Sequence, residues 1–213
     1  MVQNVMVTSN KKYKAMRKAS IESVQPAQVQ AFDRMIEDLM TKEEVTLPIG
    51  YCVDDIEILA EAIHNVSGLK KLIFIGELGD EPTQKTSFVN QDQFTTLWKA
   101  IMEGQSSIQC LGFISMHLTD DHLNLLVKFA MACLDKISPT NTSLSSLILC
   151  GNDFSVEGKK SLLFELTQPQ TQLFSSLKEL DLGANIEETP SADLAELETK
   201  FESLSVSRTN KIE

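Results

Sequence analysis

Leucines recur in phase along this chain, and that periodicity restricts its fold more than any other feature. Residues 144–166, LSSLILCGNDFSVEGKKSLLFEL, place Leu144, Leu147 and Leu149 at L-x-x-L-x-L, followed by Asn152, Phe154, Gly158, Leu162 and Leu166. Residues 177–185, LKELDLGAN, repeat the front half through Leu177, Leu180, Leu182 and Asn185. A third copy at 108–129 supplies Ile108, Leu111, Phe113, Leu118, Leu126 and Phe129, with Met116 at the Asn position and His122 at the Gly position. Leu69, Leu72 and Phe74 begin a fourth, in which Glu77 stands at the Asn position. The weakest copy, at 45–63, offers Val45, Leu47, Cys52, Ala60 and Ile63. Starts near 42, 69, 108, 144 and 177 lie 27, 39, 36 and 33 residues apart. The excess over an even period sits in polar stretches at 79–91, 135–143 and 168–172, which read as connecting loops.

Each copy reads as a short strand, a tight turn and a helix. An L-x-L segment sends its leucines to one face of the strand, and the helix offers a second apolar face at i, i+3, i+4 spacing. Neither face can cover itself. Stacking the copies pairs the strands in parallel and merges both faces into one core. Asn152 and Asn185 are read as structural, bonding backbone groups in the turn after the strand, and Gly158 as easing the chain into its helix.

This pattern resembles the leucine-rich repeat family, in its ribonuclease-inhibitor-like subclass, over roughly residues 42–186. The resemblance implies an α/β fold: a short right-handed solenoid of about five repeats, with a parallel sheet on its concave face and helices on its convex face. End repeats need covering. Residues 21–41 are expected to form an N-terminal capping helix, since Pro26 is followed by Val29, Phe32, Met35, Ile36 and Leu39 at helical spacing. Residues 187–205 are expected to form a C-terminal capping helix that seals the last strand, with Thr189 or Ser191 as N-cap and Leu194, Leu197, Phe201 and Leu204 as its apolar stripe. Residues 1–20 read as a basic, flexible tail and 206–213 as a second tail.

Charge narrows the partners. Thirty acidic residues stand against nineteen Lys and Arg, a net charge of −11, although residues 1–20 carry five cations and no acid. An acidic body disfavours nucleic acid and favours basic or mixed protein partners. No apolar run is long enough to span a bilayer, so no membrane span is expected. Cys52, Cys110, Cys133 and Cys150 form no CxxC pair, which suits reduced thiols in the cytoplasm.

Sequence motifs for catalysis are missing: no phosphate-binding glycine loop, no H-E-x-x-H and no G-x-S-x-G. The chain is therefore expected not to be an enzyme and to need no cofactor or metal. His117 and His122 with Asp120 and Asp121 are the nearest approach to a cluster, yet they fall in a strand-to-helix turn, where Asp120 or Asp121 serves as a helix-start acid. Trp98 sits with Phe94, Leu97 and Ile101 in a helix and reads as core.

Non-leucine positions of the strands define the candidate site. The middle row is Thr46, Ile73, Gly112, Ile148 and Asp181, and the next is Pro48, Ile75, Ile114, Cys150 and Gly183. Ile73, Ile75, Ile114 and Ile148 with Cys150 make an apolar patch flanked by Lys71, Glu179 and Asp181. The alternative is that a terminal segment folds over the patch. The family resemblance implies a protein-binding module working through these residues and the insertion loops. It extends to the repeat effectors that intracellular bacteria inject into host cytosol, on the Lys, Asn, Gln and Thr-rich composition and the acidic stretch containing Glu187, Glu188, Glu196, Glu198 and Glu202. Two rivals come with the same subclass: a GTPase-activating protein, and an inhibitor that plugs a basic enzyme.

Overall fold

The computed structural model describes residues 26–51, 55–76, 89–104, 107–134, 143–168, 176–183 and 192–209. The basic segment 1–20, Cys52, Glu77, Asn185, both proposed N-caps Thr189 and Ser191, and most of the polar insertions lie outside the described residues. Helix α1 (Pro26–Thr41) leads into β1 (Glu44–Pro48), a single 3-10 turn (Ile49–Tyr51) and α2 (Ile56–Asn65). Then come β2 (Lys71–Ile75), α3 (Gln91–Glu103), β3 (Cys110–Ile114), α4 (Asp120–Leu134), β4 (Ser146–Ile148), α5 (Val156–Thr167), β5 (Glu179–Asp181) and α6 (Ala192–Thr209). The five strands form one parallel sheet in chain order.

One joint is built four times. The first two N–H groups of each strand region converge on a single carbonyl of the preceding unit: Lys70 and Lys71 on Glu43, Gln109 and Cys110 on Lys70, Ser145 and Ser146 on Gln109, Lys178 and Glu179 on Ser145. All eight bonds are 2.7–3.0 Å long. Identical joints set identical register, so Val45, Leu72, Leu111, Leu147 and Leu180 form one row across the sheet, and Leu47, Phe74 and Phe113 another. Even the weakest copy forms its strand, because Val45 and Leu47 satisfy the alternation although the rest of that copy departs from the pattern.

Those rows face the helices. Leu47, Leu72, Phe74, Leu111, Phe113 and Leu147 have no exposed surface and join the helix residues in a single apolar core. Phe113 stacks on Phe74 at 5.2 Å and meets Phe94 of α3 at 5.3 Å, which locks strand to strand and sheet to helix. Trp98 is fully buried beside them. Each such side chain contributes about 1.5–3 kcal/mol by leaving water. The helices pack in chain order as well, α2 on α3, α3 on α4, α4 on α5 and α5 on α6.

At the front, α1 buries Phe32, Met35, Ile36 and Leu39 and packs on β1, the 3-10 turn and α2. The back differs from expectation in two ways. Helix α6 runs to Thr209, past residue 205, since no Gly or Pro follows Leu204 to stop it. It also packs chiefly on α5, burying Phe201, and leaves Leu180 and Leu182 of the last strand region half-buried rather than sealed.

Candidate functional site: the outer face of the sheet

Alternation along the strands turns every second residue away from the helices, and the register brings these into rows. Thr46, Ile73, Gly112, Ile148 and Asp181 are direct partners across all five strands. Ile75 pairs with Ile114 in the next row, beside Pro48. Lys71, Cys110, Ser146 and Glu179 form the row on the other side, starting from Glu44. The ladder ends at Ile148, so Cys150 stands just beyond β4 in the turn and not within a strand.

Ile73 is less open than its position in the sequence suggests. It is 5% exposed, because Gly112 on the next strand has no side chain and the δ-methyl of Ile73 lies over it. A Cβ at Gly112 would stand 2.5 Å from that methyl and 3.6 Å from the Cβ of Ile148. The three residues make a continuous apolar strip, in which Ile148 remains half-buried, and Ile75 and Ile114 are half-buried beside it. The apolar patch is therefore partly self-filled. What it presents outward is Ile75, Ile114 and Ile148.

Charge brackets this strip. Lys71 lies 3.9 Å from Glu44, a loose exposed pair, while Lys70 meets Glu43 at 2.7 Å. At the far end Glu179 and Asp181 are exposed, and Asp181 accepts from the Gly183 N–H at 2.8 Å. Burial pushes the Cys150 thiol upward from its ordinary pKa, and the neighbouring Asp181 charge adds to the effect. Both effects favour the protonated thiol over the thiolate.

Below the strip, polar side chains stitch one unit to the next. Asn152 Oδ1 accepts from Met116 N–H at 3.0 Å and Leu118 N–H at 3.1 Å, while its Nδ2 donates to Phe113 O at 2.7 Å and Leu149 O at 2.8 Å. Its reach extends to the preceding turn as well as its own. Met116 at the equivalent position of that copy is simply buried. Asp120 accepts from the Ser155 backbone N–H at 2.9 Å and its hydroxyl at 2.5 Å, so it braces the start of α5 and not only that of α4. Asp121 faces the other way, accepting from Gln91 of α3 at 3.0 Å. Gly158 corrects the sequence reading too. It lies inside α5, and its missing side chain leaves room for the Asp120 carboxylate rather than easing a turn.

The two histidines are not brought together. His117, in the left-handed region at φ 54°, holds Asp153 at 3.0 Å. His122 points into the core at 5% exposure, accepting from the Thr119 N–H at 3.1 Å through Nδ1 and donating to Val89 O at 3.2 Å through Nε2. Burial holds its pKa below the ordinary value, against the opposing pull of the Val89 bond and the Asp121 charge. Among the described residues no group of three or more His, Cys, Asp or Glu could hold a metal ion, and no helix is long and apolar enough to cross a membrane.

A second concavity escapes the repeat reading altogether. It encloses about 480 Å³ where β5 and the turn after it meet α5 and α6. The signal that could have found it is the spacing of Glu198, Phe201 and Glu202, which puts two acids and an aromatic ring on one helix face.

No family model matches the sequence. No curated protein matches it either. Among solved structures, this chain is similar to one described as Leiomodin-1 Actin-Binding Site 2 (ABS2), with a TM-score of 0.55 and 13% sequence identity over 84% of this chain and 92% of that one. At that identity the likeness concerns the fold alone, a parallel sheet with alternating helices.

Proposed function

We propose that this chain is a short leucine-rich-repeat solenoid of the ribonuclease-inhibitor-like type that binds a partner protein, without catalysis, through the outer face of its sheet and the adjoining loops. The observation that carries this reading is the strip of Ile73, Ile75, Ile114 and Ile148, bracketed by Lys71 with Glu44 on one side and Glu179 with Asp181 on the other. An apolar centre with a charged rim is how a protein-binding surface is composed. The four repeated joints and the in-phase leucines support the solenoid, and so does the likeness in fold to the leiomodin-1 structure. A role as a bacterial effector acting on host proteins is the narrower form of the same reading and rests on composition alone.

The test compares the intact protein with the double variant Ile75→Asp, Ile114→Asp. Actin is the first purified protein to try, since the similar structure is described as an actin-binding site. Capture from cytosol, with identification of what is retained, follows. Both residues are half-buried and neighbour each other across β2 and β3, so the double variant is expected to lose some stability yet stay folded at the assay temperature while losing the partner. Retention of the partner by a folded variant would contradict the proposal.

A further inference from the structure

The outer sheet face does not account for the concavity at the far end of the molecule. Leu180 and Leu182, half-buried on the last strand region, form an apolar floor with Phe201. Helix α6 covers α5 instead of closing over them. Glu198 and Glu202 stand one turn apart on α6, on the face that carries Phe201, and both line the concavity. Like charges at i, i+4 work against the helix that carries them. Asp181 supplies a third carboxylate from the strand side. The wall between is the turn at Gly183, whose carbonyl accepts from the Lys159 ammonium at 3.3 Å; that lysine is only 3% exposed.

The geometry points to this groove as a docking site for a basic amphipathic peptide segment of a partner protein: one aliphatic or aromatic side chain on the leucine and phenylalanine floor, with Lys or Arg on either side reaching the carboxylates. Charge complementarity selects this occupant. An acidic peptide would meet three carboxylates, and a wholly apolar one would desolvate them. The volume of about 480 Å³ lies within the range of about 300–1,000 Å³ typical of ligand sites, which suits one or two side chains rather than a whole helix. The groove shares Asp181 with the middle row of the sheet, but its other carboxylates belong to α6, so substitutions on α6 test it apart from the outer face.

The probe is a dye-labelled ten-residue peptide with a central leucine flanked by lysines, read by fluorescence anisotropy on the full chain. Two control peptides replace the leucine by serine or the lysines by glutamates. The lysine–leucine peptide is expected to bind, to weaken about tenfold or more between about 50 and about 300 mM salt, and to exceed both controls. Glu198→Gln with Glu202→Gln should weaken it about tenfold while leaving the protein folded, since both residues are exposed. Leu182→Ser provides an independent loss from the floor. Equal binding by wild type and the Gln pair, or equal binding of the serine control, would overturn the proposal. Binding that emerges only after Lys11, Lys12, Lys14, Arg17 and Lys18 are exchanged for Gln would assign the groove to the chain's own basic segment and overturn the partner assignment.

Discussion

The carboxylate of Asp120 occupies the space that a side chain at Gly158 would need. The same carboxylate takes the backbone N–H and the hydroxyl of Ser155, the residue that N-caps α5. A glycine inside a helix ordinarily costs about 1 kcal/mol relative to alanine. Here the cost is offset by a charge-assisted brace between consecutive units. Gly158→Ala is therefore expected to destabilise the protein by about 1–3 kcal/mol, because the new methyl displaces the brace. With Asp120→Ala already in place, the same change should become neutral or stabilising. Denaturant melts of the four proteins in this cycle check it; additive effects would contradict the account.

Asn152 serves four backbone groups at once, two of them in the preceding turn. Alanine at this position would leave those groups to water that reaches them only in part, at a cost of about 2–3 kcal/mol. Aspartate should be at least as damaging, since it cannot donate to the Phe113 and Leu149 carbonyls. Hydrogen exchange should show the faster opening at Met116 and Leu118, in the turn after β3.

His122 makes stability depend on pH in a defined direction. Its Nδ1 must remain an acceptor for the Thr119 N–H, and burial depresses its folded pKa below the ordinary histidine value of about 6.5. The unfolded chain therefore takes up a proton first as the pH falls. The stabilising contribution is complete above about pH 6.5 and is lost progressively on descent through the depressed folded value. Thermal melts between pH 8 and 5 should show a decline that His122→Gln flattens, although the variant is less stable at pH 8. An unchanged slope in the variant would place the proton uptake elsewhere.

How much of this was legible in the sequence depends on the range of the interaction. Leucine phase foretold the parallel ladder and the rows of the outer face, because alternation and repeat spacing are local properties of the chain. Its limits show at Gly158 and Asp120: thirty-eight residues separate them, and only the stacking of units brings the carboxylate to the glycine. Ile73 looked exposed because its own strand says nothing of Gly112 beside it. Helix α6 outruns its expected end at residue 205 because neither Gly nor Pro follows Leu204 to stop it. The acidic groove stayed hidden for a different reason. It is formed where α6 packs on α5 instead of the last strand, a choice of packing partner that periodicity does not encode.

Substitution of Gly112 tests the fit of the apolar strip. Alanine there would collide with the δ-methyl of Ile73 and push it outward. The expected result is a loss of about 1–3 kcal/mol with the ladder retained, as overpacking predicts. Gly112→Ala combined with Ile73→Val should recover part of the loss, which a melting comparison reads directly.

The most direct measurement of the proposed docking surface is site-specific photo-crosslinking. A photoreactive side chain at Ser146, half-buried in the outer face of β4, is compared with one at Ser161, exposed on α5. The partner retained by the intact protein should form an adduct through Ser146 and none through Ser161. Adducts through Ser161 alone, with β4 silent, would contradict the assignment of the sheet face as the place where this protein binds.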